Sequence, residues 1–583
     1  MMRNLVCIFC FVLLVLTGCG PDHQVRIEGE LLTWHRITLS FRGPQLSETG
    51  SDNPFLDYRL QVTFTQDNDR TIVPGFFAAD GNAGETGAES GNVWQVRFMP
   101  DREGIWEYSV SFRKGENIAL DADEKAGAPL GPDGLTGTLE ISKSEKSGRD
   151  FRGKGLLSYV GERYLQFTGT GEYFLKGGAD SPENFLAFVD FDGTPKTSHS
   201  YLPHAADWQP GDPQWRGDKG HNIIGALNYL ASKGMNSVYF LTMNVEGDGK
   251  DVWPWTGPEE RTRFDCSKLD QWEIVFSHMD KLGLLMHVIT QETENDTLLD
   301  HGDLGPERML YYRELIARFA HHPALVWNLG EENTNTEAQR KAFSGYIHAT
   351  DPYQHPIVVH TFPDQYEKLY GPLLGTETLE GVSLQMGDKS RTHNETVKWI
   401  NRSAEKGRPW FVCLDEIGPA DIGVVPDADD PTHDDVRRYA LWGNLMAGGS
   451  GCEWYFGYKY PNNDLNCEDW RSRENMWDQT RIALEFFQNN LPFWEMSCHD
   501  ELLSNDKAWC LADPGQVYLV YLPGTTDTRL SLEDGTFRVQ WFNPVTGGAL
   551  MDGSLITING PGLTSIGAPP VTEKDWVALV KLQ

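Results

Sequence analysis

Positive charge is what this chain has least of. It carries 50 Lys and Arg against 84 Asp and Glu, a formal net charge of -34. Binding to phosphate backbones works by exchanging counterions for Lys and Arg, so the balance argues against nucleic acid as a partner. It argues equally against a bare anionic membrane surface, and it suits solubility. Cysteine is scarce, nine residues in 583, and no spacing among them fits a zinc pattern. No glycine-rich nucleotide loop, serine-nucleophile elbow or calcium-loop spacing occurs. No metal or cofactor is therefore expected. Long apolar runs are missing as well, except at the N-terminus.

That N-terminal run, Leu5 to Leu16 behind Arg3, has the length of a signal-peptide core and is short for a membrane span. It leads into Leu16-Thr17-Gly18-Cys19, which resembles the lipobox of bacterial lipoproteins. Residues 1–19 thus read as a lipoprotein signal ending in the lipobox Cys19, and the resemblance implies cleavage before that cysteine, export, and a lipid anchor on it as the only membrane attachment. Export permits disulfides. Cys452–Cys467 and Cys498–Cys510 are local pairings to consider beside buried free thiols.

What the chain does have is pattern. Residues 23–142 alternate apolar and polar at Arg36–Phe41, Tyr58–Phe64, Val93–Phe98 and Trp106–Phe112, with Gly, Asp, Asn and Pro between. This reads as an immunoglobulin-like β-sandwich. A polar linker, 143–156, follows. From 157 to 500 the pattern becomes strand, loop, helix. Eight apolar runs begin near Tyr173, Ser237, Leu284, Leu325, Pro356, Gly381, Trp410 and Gly451. Runs apolar on both faces belong to parallel sheets covered by helices, and eight such units make a (β/α)8 barrel. Residues 504–583 return to β pattern as a second sandwich. The fold expected is thus multidomain, a central barrel flanked by two antiparallel β-sandwiches.

A barrel of this kind places its chemistry at the C-terminal strand ends. Two runs end there in paired acids, Trp327-Asn328-Leu329-Gly330-Glu331-Glu332 and Val412-Cys413-Leu414-Asp415-Glu416. Asp180, Asn244, Gln291, His360, Gln385 and Trp454 fall at other strand ends. Trp208 and Trp253 lie in long loops, where indole faces suit sugar rings or simply pack on one another. Adjacent strand residues face opposite sides. One acid of each pair should therefore face the mouth, Glu332 and Glu416 being favoured over Glu331 and Asp415.

In that order on the fourth and seventh strands, the two acidic motifs resemble those of the clan A barrel glycoside hydrolases. The C-terminal sandwich resembles one found in apiosidase-like glycosidases. The resemblance implies an exported enzyme that cleaves a poly- or oligosaccharide with retention, Glu332 as acid/base and Glu416 as nucleophile. It implies Trp454 beneath the sugar, with Glu331, His360, Gln385, Gln291, Asn244, Trp208, Trp253 and Asp180 around it. Glu331 stands where the clan has an asparagine that binds the sugar 2-hydroxyl. That departure leaves a second reading open, a non-catalytic glycan-binding surface lipoprotein. Neither reading brings in a further partner, and oligomeric state is left open.

Overall fold

A computed structural model describes residues 25–524, 528–571 and 574–583 of the chain. The expected signal segment and Cys19 lie outside the described residues. Eight parallel strands close a barrel: β1 (Lys176–Ala179), β2 (Ser237–Leu241), β3 (Leu285–Ile289), β4 (Leu325–Asn328), β5 (Ile357–Thr361), β6 (Gly381–Met386), β7 (Phe411–Ile417) and β8 (Gly451–Trp454). Each is buried along its whole length, one face inside the barrel and the other against helices. That double burial is why the runs read as continuously apolar. Two of the helices between the strands start on side-chain caps. Asp265 accepts the Lys268 N–H at 2.9 Å to open Cys266–Leu282, and Thr336 with Gln339 forms a capping box on Glu337–Thr350.

The barrel interior departs from the branched aliphatic layers usual for this fold. The Lys176 ammonium sits 2.5 Å from Asp415 and 3.0 Å from Glu453. His287 Nδ1 lies 2.8 Å from Glu453, His287 Nε2 lies 3.1 Å from the Asn328 amide, and Ser237 donates to Glu453. Burial opposes ionisation of Glu453, but Lys176 and His287 outweigh it and hold the carboxyl down at about 2. Beneath this layer a hairpin, Leu157–Tyr159 against Leu165–Phe167, closes the barrel floor. Its side chains and Phe151 and Phe174 pack on Leu285, Val326, Val358 and Phe411.

The N-terminal sandwich has two antiparallel sheets. One carries Arg26–Glu28, Ile37–Ser47, Ser90–Phe98 and Phe76–Phe77; the other is built on Tyr58–Gln66 and Gly104–Lys114. The alternation read from the sequence is the burial pattern observed: Trp106, Tyr108, Val110 and Phe112 point inward and the residues between them do not. Arg97 fastens the sandwich to the barrel, donating to Glu273 at 3.0 Å, Asp270 at 3.2 Å and the Arg318 carbonyl at 3.0 Å. The C-terminal region forms a six-stranded antiparallel sheet and a two-stranded one. Its first strand, Ser497–Cys498, starts earlier than residue 504. The buried Arg437 of the barrel bonds Asp575 at 2.7 and 3.0 Å, and Tyr521 donates to the same carboxylate at 2.7 Å. The six cysteines of the described residues are all free thiols, so neither local pairing forms.

Candidate active site

β4 stops at Asn328, and the chain turns sharply through Gly330, Glu331 and Glu332. Gly330 has φ 148°, and a Cβ there would press on Gln291 Cγ at 2.9 Å and Asn333 Nδ2 at 3.0 Å. Only glycine fits. Glu332 itself has φ 43°, a left-handed conformation that costs a side-chain-bearing residue about 1–2 kcal/mol. Because both acids lie on this turn and not on the strand, the expected opposition between them fails. Glu331 is 6% exposed with Oε2 unpartnered, and Glu332 is half-buried beside it.

A different device operates on β7. Leu384 pairs with Leu414, but Gln385 pairs with Glu416, so Asp415 is an extra residue in the ladder. Bulges of this kind re-aim side chains next to functional sites. Asp415 drops toward Lys176 in the barrel core, and Glu416, 4% exposed, reaches the mouth. The expectation that only one member of each acidic pair faces the mouth is therefore corrected at β4, where both acids lie on the turn, whereas on β7 Glu416 alone reaches it.

Gln385 connects the two ends. Its Nε2 donates to Glu332 Oε1 at 2.7 Å, the residue pairs with Glu416 in the ladder between β6 and β7, and the amide pulls the Glu416 carboxyl down against burial. His360 Nε2 lies 3.4 Å from Glu416 Oε2, and His360 Nδ1 lies 3.2 Å from the Tyr239 hydroxyl. Carboxylate oxygens of Glu331 and Glu416 and a ring nitrogen of His360 fall within 4.8 Å of one another. Burial, with His287 and Lys176 below, pushes the His360 imidazole down to about 3, so it is neutral near pH 7.

Acid is concentrated here to a degree the sequence did not reveal. Asp180, at the end of β1, is 1% exposed, and neither carboxylate oxygen has a partner. Burial raises it well above the usual carboxylate range, and Glu416, Asp464 and Glu331 add to the rise. Burial likewise raises Glu183, with Asp464 and Glu331 next in weight. Glu331 is raised by burial and then by Glu292, Glu332 and Glu416, with the Glu183 carboxyl as its hydrogen-bonding counterweight. Burial, Glu294 and Asp248 lift Glu332 to about 7 against the pull of the Gln385 amide. Burial and Glu332 raise Glu416 as well. Carboxyls this close cannot all ionise, so they share protons and titrate together.

Several expected contacts lie elsewhere. Trp454 is fully buried and donates from Nε1 to Thr480 at 2.8 Å, on the helix outside β8. The alternation explains it: Glu453 points into the barrel, Trp454 points out, and Tyr455 comes to the mouth, where Asp464, Glu183 and Glu416 act on its hydroxyl. Gln291 is fully engaged, donating to Asp296 and to Asn335 at 2.9 Å and accepting from Arg308. Asn244 closes its own loop by accepting the Lys250 N–H at 3.1 Å. Trp208 stacks on His221 at 4.1 Å, and Trp253 lies under the Lys268 ammonium at 5.0 Å. These tryptophans pack the loops. Glu332, Glu416, Glu331, His360, Gln385 and Asp180 are brought together. Glu183, Asp464 and Tyr455 were missed. Glu183 follows β1 closely enough to have been read, whereas Asp464 arrives from a loop with no pattern.

Residues 30–113 match the model of a domain of unknown function, DUF5060. No curated protein matches the chain. Solved structures do. A Bacteroides vulgatus ATCC 8482 protein provisionally assigned to the glycoside hydrolases is similar with a TM-score of 0.60 at 15% identity, over 95% of this chain and 100% of that one. A glycoside hydrolase family 5 protein of the same strain gives 0.54 at 16% identity, over 75% and 95%. A third glycoside hydrolase gives 0.55 at 14%, over 75% and 98%. The fold is one that glycoside hydrolases use. At these identities the likeness is one of fold, and no residue role passes across with it.

Proposed function

We propose that the chain is a retaining glycoside hydrolase acting on a poly- or oligosaccharide, with Glu416 as nucleophile and Glu332 as acid/base. The observation that carries this reading is the Gln385 amide set between the two carboxyls at the ends of β4 and β7. The amide bonded to Glu332 belongs to the residue paired with Glu416 across the β6–β7 ladder, and Glu332 acts directly on the Glu416 carboxyl, which supports a close pair. Retaining enzymes space their carboxyls at about 5–5.5 Å, while inverting enzymes need room for a water between them.

In the first half-reaction the Glu416 carboxylate attacks the anomeric carbon as Glu332 gives its proton to the departing glycosidic oxygen. In the second, Glu332 takes a proton from water, which attacks the glycosyl ester and releases Glu416. Glu332 and Glu416 are both raised by burial and share a proton near neutrality, and this reading puts it on Glu332 while the nucleophile Glu416 is charged. Neutral His360 and the Gln385 amide orient Glu416. Glu331 takes the place of the clan's asparagine. Burial among other acids keeps it protonated, so its carboxyl OH can donate to a sugar hydroxyl as an amide N–H would. The same reading takes the protein as exported and lipid-anchored at Cys19.

The test is a panel of plant and algal polysaccharides, neutral, sulfated and uronic-acid-rich, with products read by mass and anomeric configuration by NMR. Release of a product with retained configuration, lost in Glu416→Ala, is the expected result. Binding without turnover in the parent protein, unchanged in Glu416→Ala, would instead identify a glycan-binding barrel.

A further inference from the structure

A second carboxylate group stands at the rim of the mouth, where the loops after β2 and β3 meet. Oxygens of Asp248, Glu292 and Glu294 lie within 4.8 Å of one another. Asp248 and Glu294 are exposed, while Glu292 is 6% exposed. Glu292 accepts the Asp248 N–H at 3.3 Å through Oε1, which leaves Oε2 buried and without any partner. A buried carboxyl with an orphaned oxygen, grouped with two further carboxylates, is an unfavourable arrangement unless a cation or a proton completes it.

The shape of the loop favours the cation. Gly247 precedes Asp248, and the space its Cβ would fill lies 1.6 Å from Glu292 Oε2 and 2.7 Å from Asn244 Oδ1. The missing side chain lets the Glu292 carboxyl pack against the Gly247 backbone with its Oε2 beside the Asn244 carbonyl oxygen. Tyr458 holds Asp248 from the far side, donating to Oδ2 at 2.8 Å and leaving Oδ1 free. Every donor in the set is oxygen, with no nitrogen or sulfur. That set suits calcium, which takes six to eight oxygens in irregular geometry and completes its shell with water.

We infer that Asp248, Glu292, Glu294 and the Asn244 side-chain carbonyl form a calcium site that ties the loops after β2 and β3 together beside the catalytic mouth. It is separate from the Glu332–Glu416 pair and does not depend on the protein being an enzyme. The proton is the competing occupant of the buried Glu292 carboxyl.

Titration calorimetry of chelator-treated full-length mature protein with calcium chloride at pH 7.5 tests this. One saturable site with Kd below about 1 mM, the range of extracellular calcium modules, is expected, together with a rise in Tm on adding calcium. Asp248→Asn with Glu294→Gln should weaken binding at least tenfold while circular dichroism stays unchanged. Absence of a saturable calcium signal in the parent protein overturns the inference. So does binding weakened less than tenfold in the double variant, which would put the ion elsewhere. Calorimetry reads no turnover, so failure here leaves the hydrolase reading standing, and a catalytically silent barrel would still bind calcium.

Discussion

Two neighbouring acids, Glu331 and Glu332, differ in what their protons do. In the proposed mechanism Glu332 loses and regains its proton in each cycle, whereas Glu331 only keeps one. Replacing each with glutamine separates the roles. Glu332→Gln should lower kcat by on the order of 10²- to 10⁴-fold, the usual contribution of general acid–base catalysis. Glu331→Gln preserves a neutral donor of the same shape and should stay within about tenfold of the parent. The reverse ranking would make Glu331 the acid. The pH profile follows from the raised carboxyl at about 7. An acid works below its pKa, so kcat/KM measured in chelator should fall as pH rises through about 7. The Gln385 amide stabilises the charged form of Glu332 and so lowers its pKa. Gln385→Leu removes that stabilisation, and the alkaline limb should move to higher pH.

At the scale of the element, the polar layer across the barrel interior is the sharpest feature. Lys176 on β1, His287 on β3, Asp415 on β7 and Glu453 on β8 close a buried set of paired polar and charged groups. Removing one member of such a set leaves a buried charge unpaired. Lys176→Met should therefore destabilise the fold by about 3–5 kcal/mol, read from denaturant unfolding, with the far-UV spectrum of the native state unchanged. The eight strands themselves were legible in the sequence, because burial on both faces writes an unbroken apolar run. Period-two alternation made the N-terminal sandwich legible for the complementary reason, one face wet and one dry. The bulge at Asp415 was not legible. A one-residue shift in pairing is a property of two strands together, and nothing in the β7 sequence marks it. The same holds for the left-handed turn at Glu332, where a residue without intrinsic preference for that conformation is placed by Gly330 and by the contacts around it.

Across the whole molecule, charged residues fasten the sandwiches to the barrel. Arg437 and Asp575 are buried to the same degree and bond each other twice. Asp575→Ala should lower stability by about 3–5 kcal/mol, and the Arg437→Met, Asp575→Leu pair should recover part of that loss, since it strands no charge. Burial works against ionisation of Asp575, but Arg437 and Tyr521 prevail and hold it below the usual carboxylate range. A depressed carboxyl adds stability above its unfolded pKa and loses it as pH falls through the folded value. The clasp should therefore persist through neutral and mildly acidic conditions and loosen only in strong acid. The site was only partly legible at this scale. Glu332, Glu416, His360 and Gln385 sit at strand ends and could be read from position. Asp464 and Tyr455 come through loops and alternation that only the folded chain resolves, and Trp454 was misread by one residue of strand phase. The bulge on β7 also bears on how such a protein can change over generations. It assigns one of two consecutive codons to the balance of the core and the other to the mouth. A lineage can thus lose Glu416 without disturbing Asp415, and a hydrolase can drift into a lectin, or back, through a single substitution that leaves folding intact.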